Sequence, residues 1–420
     1  MELMEAKALV KALVPPGGIE WVWLDQALGR VLAETRYSNR DLPGEARSLL
    51  DGFAIISADT ISATPESPCN LTTRYEISAA GDSISHKVSS GECIRILTGA
   101  PLPGGADAVI PQEKVLRIDE RIIVHETFSA GTGLRTVGSD INKDELLLNK
   151  GVVLTPTRLS LLAALGYSSV PVFRQPRVAL LATGNEVREI GESIEGPFTY
   201  CNNRYLLAWS ASLQGGKPIH LGATQDDPDL IAKILDNADA EFIISTGGVG
   251  RGDRDFILAA WETLGVTILF EEINLSPGHG TALGKRGKQI FLAFPGNPWG
   301  AQAAFEQLAT VALHKYQGLE SYASPCIPAI LERTIRKPAG SYKAIRGALH
   351  QNSSILMFRP ADKEKKYGFS NINNTFSYIL LESHVSESSS GSEVQARFYD
   401  FPLLALPLFG VRSAREGNYA

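Results

Sequence analysis

The stretch STGGVGRGDRDFI combines glycines and carboxylates directly after an apolar run. Glycines let a ligand approach main-chain N–H groups closely, and the start of a helix offers such groups to an anion. Carboxylates do not bind an anion themselves, so beside these groups they indicate a bridging Mg²⁺ ion. The stretch therefore predicts a phosphorylated or nucleotide-linked substrate at Gly247, Gly248 and Gly250, with Asp255 near a metal ion.

Three further polar turns follow predicted strands: TGNEV with Glu186, QDDPD with Asp226 and Asp227, and PGNPW with Pro295, Gly296 and Asn297. Ligands of an open parallel sheet bind in the crevice beyond the carboxyl ends of its strands. We therefore expect all these turns at one sheet edge. Glu186, Asp226 and Asp255 are the candidate ligands of Mg²⁺, and Asp226 and Asp255 are also candidate catalytic residues.

Each turn also has a purely structural interpretation. PGNP suits a helix start with Asn297 as N-cap and Pro298 in the first turn. QDDP suits an exposed turn with an N-cap aspartate, and GDRD suits a solvated first helical turn. Their expected location at the same edge of one sheet favours a binding site. A Walker A loop is excluded, because GHGTALGKR has the wrong glycine spacing and Arg286 in place of the hydroxyl residue.

Composition limits the class of protein. A chain of 420 residues predicts two to four domains, and 44% hydrophobic with 20% charged residues is typical of soluble globular proteins. The net charge of −6 argues against a nucleic-acid-binding surface. The N-terminal region lacks the pattern of a signal peptide, and no stretch approaches the roughly 20 apolar residues of a membrane span. We expect a cytoplasmic protein without nucleic-acid or membrane partners.

The cysteines lie far apart and have no zinc or redox spacing. Unpaired, scattered cysteines suit a reducing compartment. The expectation is that all of them are small buried apolar residues: Cys69, Cys93, Cys201 and Cys326.

Periodicity predicts how the chain is organised. MEAKALVKALV and LDQALGRVLAET predict two N-terminal helices, and a further helix follows Thr155 or Thr157 as cap and ends at Gly166. Short β-type runs fill 47–140. From Arg177 onward, strands RVALLAT, KPIHLGAT, EFIIST and QIFLAF alternate with helices, which implies a parallel sheet covered on both sides. After a linker, short strands return.

Several motifs, in order over nearly the whole chain, resemble the molybdopterin molybdenumtransferases, a family that includes one domain of gephyrin. The motifs are SLLDGFAI, GECIRILTGAPLPGGADAVIPQE, TGNEV, STGGVGRGDRD and FPGNPWGAQAAFE. The resemblance implies a multidomain fold of the α/β plus β class. Its parts are a helical linker domain (1–46 with 141–170), a small β domain (47–140), a central parallel α/β sheet domain of the molybdopterin-binding type (171–320) and a C-terminal β domain (326–420).

The same resemblance implies a reaction. Molybdenum from molybdate is placed on adenylylated molybdopterin, the phosphoanhydride is hydrolysed, and AMP leaves. The resemblance also implies an elongated homodimer, with each active site between the α/β domain of one subunit and the β domain of the other. The Mg²⁺ inferred from the acidic residues agrees with this chemistry.

The resemblance assigns roles to residues outside the α/β segment. Asp51 in LLDGF and Thr98 in LTGA match polar active-site positions, and Asp140 matches a further acidic position. Arg346 in KAIRGAL matches an arginine that reaches in from the C-terminal domain. The alternatives are a tight hairpin turn for the Asp-Gly pair and a solvated strand-edge charge for Arg346.

The chain departs from the family pattern at several positions. Ser276, His279 and Glu272 stand where lysines are expected. Gly250 replaces a serine of the glycine-rich loop, and in the family's DSN motif Tyr200 and Cys201 replace the first two residues and leave Asn202. Losing two or three cationic contacts to phosphate or molybdate weakens binding by several kcal/mol, since each contributes roughly 1.5–3 kcal/mol.

Arg251, inside the loop, is the best candidate to restore part of that charge, ahead of Arg254, Lys285 and His279. The first hypothesis is therefore an active molybdenumtransferase, specific for molybdate or for tungstate. The alternative is a diverged, catalytically weak paralogue that carries or regulates a pterin. An α/β hydrolase is disfavoured, because the chain has no G-x-S-x-G elbow.

Overall fold

The computed structural model describes residues 1–77, 86–248, 256–319, 325–361 and 375–403. Gly250, Arg251, Arg254 and Asp255 lie outside the described residues, so their expected roles stay predictions.

The α-helices are α1 (Leu3–Leu13), α2 (Pro156–Ala164), α3 (Asn202–Leu213), α4 (Pro228–Asp236), α5 (Phe256–Thr263), α6 (Pro298–Ala304) and α7 (Thr310–Tyr316). The π-helical segment Phe305–Ala309 joins α6 to α7. Single 3-10 turns cover Leu24–Gln26, Ser57–Thr60 and Gln112–Lys114.

The first strands are β1 (Ile19–Trp23), β2 (Arg36–Tyr37), β3 (Arg47–Ser48), β4 (Gly52–Ile55), β5 (Cys69–Ile77), β6 (Glu92–Ile96), β7 (Ala108–Pro111), β8 (Val115–Ile118), β9 (Arg121–Val124), β10 (Leu134–Arg135), β11 (Leu146–Leu148) and β12 (Ser169–Phe173). The next are β13 (Arg177–Thr183), β14 (Val187–Arg188), β15 (Thr199–Tyr200), β16 (Lys217–Thr224), β17 (Phe242–Thr246), β18 (Thr267–Phe270), β19 (Leu275–Ser276), β20 (Ala282–Arg286) and β21 (Gln289–Phe294). The last are β22 (Cys326–Leu331), β23 (Ile335–Arg336), β24 (Tyr342–Asn352), β25 (Ile355–Pro360), β26 (Ser377–Leu381), β27 (Glu387–Ser388) and β28 (Glu393–Phe398).

Two compact units divide the chain. The large unit comprises 1–34, 150–160 and 167–420, and the small unit comprises 35–149 with 161–166. The small unit contains a six-stranded sheet in the order β7-β4-β6-β5-β9-β8 and the two-stranded pairs β3–β10 and β2–β11. Its β character agrees with the prediction.

The large unit is built around a six-stranded sheet in the order β16-β13-β17-β21-β20-β18. The first four strands run parallel, as the alternating pattern predicted. β20 and β18 add an antiparallel edge that the alternating pattern did not predict. The turn between β20 and β21 holds only Gly287 and Lys288, and Gly287 has φ of +60°, so a tight hairpin forms there.

Both faces of the parallel strands are covered. Val178 and Leu180 of β13 pack in one apolar cluster with residues of α3 and α6. The alternate residues Ala179 and Leu181 pack with residues of α4 and α5. Because successive strand residues face opposite sides, one continuous apolar run serves both clusters. Because helices cover both faces, the carboxyl ends of the strands are where the polar turns lie.

The C-terminal strands form a closed ring. β24 pairs with β25 and β26, β22 pairs with β25 and β28, and β26 pairs with β28. β19 adds to β24 in parallel. Five strands therefore close a small barrel, which confirms the predicted C-terminal β structure.

One predicted N-terminal helix is confirmed and the other is wrong. In α1, Leu3, Ala6 and Val10 form its buried face. LDQALGRVLAET instead forms only the 3-10 turn Leu24–Gln26, after which Val31 and Leu32 bridge to strand-like segments elsewhere in the large unit. Pairing of these buried residues therefore overrides the helical propensity of the stretch.

The later helix begins as expected, since Thr155 Oγ1 accepts a hydrogen bond from the Arg158 N–H at 3.4 Å and acts as the cap. Gly166 follows its end with φ of +80°. Cys93 and Cys201 are buried, but Cys69 is half-buried and Cys326 is exposed, so the prediction of burial is wrong for the last two. No helix in the described ranges is long and apolar enough to cross a membrane.

Candidate functional site

The turn after β17 lies directly against the end of β13. Gly247 and Gly248 have φ of +92° and +62°, the left-handed region that favours glycine. A Cβ on Gly247 would lie 2.2 Å from the Thr183 carbonyl oxygen, and one on Gly248 would lie 2.8 Å from Thr183 Oγ1. Packing between neighbouring strand ends therefore requires these glycines, whatever ligand the turn binds.

Asp226 lies beside the same turn. A Cβ on Gly248 would be 3.6 Å from Asp226 Oδ1. The neighbouring Asp227 is the N-cap of α4 and accepts hydrogen bonds from the main-chain N–H groups of Asp229 and Leu230 at 3.0 and 3.1 Å. The structural interpretation therefore holds for Asp227, and it leaves the half-buried Asp226 as the acid at the strand ends.

The TGNEV turn is tied to this acid. The Asn185 side-chain oxygen accepts a hydrogen bond from the Asp226 N–H at 3.2 Å. The adjacent Glu186 is exposed, and its carboxylate oxygens lie 3.0 Å from where a Cβ of Gly184 would be. The turns after β13, β16 and β17 thus meet, as their predicted location at one edge required.

The described residues hold no group of three or more His, Cys, Asp or Glu side chains arranged to bind a metal ion. Glu186 and Asp226 nevertheless stand on adjoining, linked turns. Mg²⁺ usually takes one or two carboxylates together with substrate phosphates and water. The donor set therefore fits a magnesium ion that is completed by a substrate.

The PGNP turn after β21 touches the turn after β17. The Gly247 N–H donates to the Phe294 carbonyl at 3.2 Å, and a Cβ on Gly296 would lie 3.7 Å from Gly247 Cα. Asn297 caps α6, because its side-chain oxygen accepts from the N–H groups of Trp299 and Gly300 at 2.9 and 3.2 Å. The structural interpretation of Asn297 therefore holds.

Asn203 joins these two turns, whereas the motif resemblance predicted its neighbour Asn202 as the site residue. Asn203 Nδ2 donates to the Gly296 carbonyl at 2.7 Å and to Thr246 Oγ1 at 3.2 Å. Asn202 is half-buried, and among the described residues its side chain donates to Asn203 Oδ1 at 3.4 Å. Helical spacing was the available signal, since Asn203 shares the buried face of α3 with Leu207.

Arg346 of β24 packs against the start of α6. Its guanidinium lies 3.2 Å from the ring centroid of Trp299 and 5.1 Å from that of Tyr399. Arg346 Nη2 donates to the Thr375 carbonyl at 2.8 Å, and burial lowers its pKa to about 10. The alternative of a solvated strand-edge charge is therefore wrong.

The residues that stand where lysines were expected have contacts of their own in the fold. His279 Nε2 is 3.1 Å from Glu272 Oε2, and its Nδ1 is 2.8 Å from the Ile273 carbonyl oxygen. Ser276 is exposed in β19, where it pairs with Lys343 of β24. Glu272 and His279 thus contact each other.

Lys285 does not replace a missing lysine near the PGNP turn. It pairs with Ile290 near the start of β21, whereas the turn follows Phe294 at the other end of that strand. The two positions are roughly 13 Å apart along the strand. That candidate for restoring charge is wrong.

In the small unit, Asp51 and Thr98 contact each other across 47 residues of sequence. Asp51 Oδ1 accepts from the main-chain N–H and from Oγ1 of Thr98, both at 2.8 Å. These hydrogen bonds lower the pKa of Asp51, which is exposed. The hairpin-turn alternative is wrong, because β3 pairs with β10 and β4 pairs with β6 and β7.

Asp140 is also in the small unit. It is exposed and forms an ion pair with Arg135, and its N–H donates to the Leu42 carbonyl at 3.0 Å. These contacts hold Asp140 within the small unit and do not indicate a catalytic or binding role.

Known proteins resemble the chain over nearly its whole length. Residues 1–166 match the family described as MoeA N-terminal region (domain I and II), and residues 179–315 match the probable molybdopterin binding domain. Over 386 residues the chain is 30% identical to molybdopterin molybdenumtransferase from Bacillus subtilis, which covers 90% of this chain and 89% of that protein. Over 400 residues it is 30% identical to the Haemophilus influenzae protein of the same name, covering 94% and 97%.

A solved structure gives the same result. The molybdopterin biosynthesis MoeA protein from Pyrococcus horikoshii superposes with a TM-score of 0.85 at 28% identity. The superposition covers 95% of this chain and 99% of that one. With sequence and fold in agreement over this length, the chain belongs to the molybdopterin molybdenumtransferase family.

Proposed function

We propose that the chain inserts molybdenum from molybdate into adenylylated molybdopterin and releases AMP, as a step of molybdenum cofactor biosynthesis. The observation that carries this proposal is the meeting of the turns after β13, β16, β17 and β21 at one sheet edge. Full-length relatives named molybdopterin molybdenumtransferase support the choice of reaction.

The substrate would lie across these turns. Gly247, Gly248 and Gly296 present main chain without side chains, which suits close approach of phosphate oxygens. The Arg346 guanidinium beside Trp299 would supply positive charge next to the PGNP turn. Arg251, outside the described residues, would add a second cation from the glycine-rich loop.

Glu186 and Asp226, with Asp255, would hold Mg²⁺. When bound, this ion neutralises charge on the substrate phosphates. The carboxylates would hold it at the strand ends. Titration of Mg²⁺ against the wild type and Asp226→Asn, each with AMP, tests the assignment, and equal affinities would remove Asp226 from the metal site.

Asp51 would act as general base on the water that hydrolyses the phosphoanhydride. Thr98 holds the carboxylate in its ionised, proton-accepting form through two hydrogen bonds. Asp51 is exposed and open to a substrate.

We also propose a cytoplasmic homodimer in which the small β domain of one subunit meets the α/β domain of the other. Asp51 and the strand-end turns would then complete one site from two chains. Light scattering at micromolar concentration tests this arrangement, and a monomer would contradict it.

The Glu272–His279 contact favours a second candidate function. An acid and an imidazole replace two expected cations there, so the anion-binding charge is reduced. A catalytically weak paralogue that carries a pterin, or an enzyme specific for tungstate, would tolerate that loss.

The test is AMP release from adenylylated molybdopterin by the purified protein, with molybdate, with tungstate, or with neither. Release stimulated by molybdate supports the proposal. AMP release stimulated by tungstate alone would identify tungstate as the oxyanion substrate. Tight pterin binding without AMP release would identify the chain as a pterin carrier.

A further inference from the structure

Asn203 and Thr246 both bind carbonyl oxygens of the PGNP turn. Asn203 is 8% exposed, and its Nδ2 donates to the Gly296 carbonyl. Thr246 is 3% exposed, and its Oγ1 donates to the Pro295 carbonyl at 3.3 Å. Asn203 Nδ2 also lies 3.2 Å from Thr246 Oγ1, so two consecutive carbonyls are bound by one connected pair.

These bonds fix where the neighbouring N–H groups point. The cis peptide bonds of the described chain precede Pro43 and Pro277, so the peptides on either side of Gly296 are trans. In a planar trans peptide, the C=O and N–H point in opposite directions. The N–H groups of Gly296 and Asn297 therefore point away from Asn203 and Thr246.

Neither of these two N–H groups has an acceptor within the described part of the chain. Gly296 is exposed, and the Asn297 side chain already caps α6. Two adjacent N–H groups, aimed outward beside the turn after β17, form a pair of donors that can bind anionic oxygens.

We propose that Asn203 and Thr246 are positioning residues that aim the N–H groups of Gly296 and Asn297 at a phosphate oxygen of the substrate. The choice of a phosphorylated substrate rests on the proposed function. Neither side chain touches the ligand. They act by holding the two peptides in the orientation that the ligand needs.

The first test uses glycine-labelled protein and follows the Gly296 amide by NMR. Its resonance is assigned by its loss in Gly296→Ala, which the structure tolerates because the added Cβ makes only a 3.7 Å contact. AMP should shift this resonance and adenosine should not. An unmoved Gly296 amide in wild type saturated with AMP would overturn the proposal.

The second test compares variants. Asn203→Ala and Thr246→Val should each weaken AMP binding at least about tenfold, because a main-chain N–H that is no longer held in place loses its hydrogen bond to the charged phosphate. Gln317→Ala is the matched control, because this buried amide also donates to two carbonyls, that of Gln214 after α3 at 2.7 Å and that of Leu313 in α7 at 3.0 Å. It should lower the melting temperature without changing AMP affinity.

Steady-state kinetics separate positioning from loss of folded protein. Positioning predicts that the KM for adenylylated molybdopterin rises at least about tenfold in Asn203→Ala, with kcat within about threefold. A lower kcat with unchanged KM would contradict it. If the wild type binds AMP at Gly296 but shows no molybdate-dependent AMP release, the proposed reaction fails and the positioning role stands.

Discussion

Two acids in this molecule show how position decides chemistry. Asp51 in the small unit is exposed, and its pKa is lowered by hydrogen bonds from Thr98. Glu306, on the π-helical segment of the large unit, is buried, and burial together with nearby Asp400 raises its pKa to about 8. At neutral pH the first carboxyl is ionised and the second is protonated.

A shifted pKa alone does not identify a functional acid. Asp51 stands open to solvent, whereas Glu306 lies in the interior. Gln302 is buried as well, and its Nε2 donates to Oδ1 of the exposed Asp400 at 3.4 Å. An ionised carboxylate is useful where a ligand can reach it. A carboxyl group in the interior costs less free energy to bury when it is protonated and neutral. We therefore assign Glu306 a role in packing.

The largest expected effect is on turnover. Asp51→Asn keeps the shape of the side chain and removes the proton acceptor. AMP release should fall by at least about 100-fold, as expected for loss of general base catalysis. Glu306→Gln, measured in the same assay, should stay within about threefold of wild type. Equal losses of AMP release in both variants would contradict the assignment of Asp51 to catalysis and of Glu306 to packing.

The next effect is on stability. The pKa of Glu306 in the folded protein, about 8, lies above its ordinary value of 4.5. The stabilising contribution is therefore fully present below 4.5 and is lost as pH rises through about 8. Glu306→Gln should remove this loss. Its free energy of unfolding at about pH 9 should therefore exceed that of wild type by a few kcal/mol, on the order expected for such a pKa shift.

Urea unfolding between pH 5 and about 9 measures this difference. Asp51→Asn serves as the control, because the Asp51 carboxyl is already ionised throughout this pH range and its replacement should not change how stability varies with pH. If wild type and Glu306→Gln show the same pH dependence, Glu306 is not the buried acid described above.

A smaller effect concerns the Thr98 contact. Thr98→Val removes one of the two hydrogen bonds that lower the pKa of Asp51, so that pKa should rise. The acid limb of kcat/KM for AMP release should then move to higher pH. Thr98→Ser keeps the hydroxyl and should behave like wild type. An unmoved acid limb in Thr98→Val would exclude Asp51 as the titrating base.

The smallest effect concerns Asp400. This residue has φ of +59°, a conformation that asparagine also adopts, so Asp400→Asn preserves the backbone. It removes the charge that is the second cause of the raised Glu306 pKa. The fall in stability with rising pH should then end at a lower pH than in wild type, and its total size should be smaller. An unchanged pH dependence of stability would mean that burial alone raises the pKa of Glu306.

Much of the fold followed from sequence periodicity. The predicted strands RVALLAT, KPIHLGAT and QIFLAF coincide with β13, β16 and β21, because continuous apolar runs mark buried parallel strands. The stretch around Val31 and Leu32 was predicted wrongly, since its partners lie more than 100 residues away in sequence. Local propensity does not contain such pairings.

The strand-end turns were also predictable, because a parallel sheet brings its carboxyl ends together. Contacts between distant segments were not. The Arg346–Trp299 stack, the Glu272–His279 pair and the Asn203 bridge depend on how elements pack, which spacing does not encode. Asp227 and Asp226 show the same limit, since only packing reveals which of the two caps the helix.

A single-turnover experiment tests the central claim most directly. The purified protein is given limiting molybdate and excess adenylylated molybdopterin. The amounts of AMP and of pterin-bound molybdenum are then measured in the same sample. Molybdenum insertion predicts one AMP for each molybdenum bound to pterin. AMP released without pterin-bound molybdenum, or pterin retained without AMP release, would contradict it.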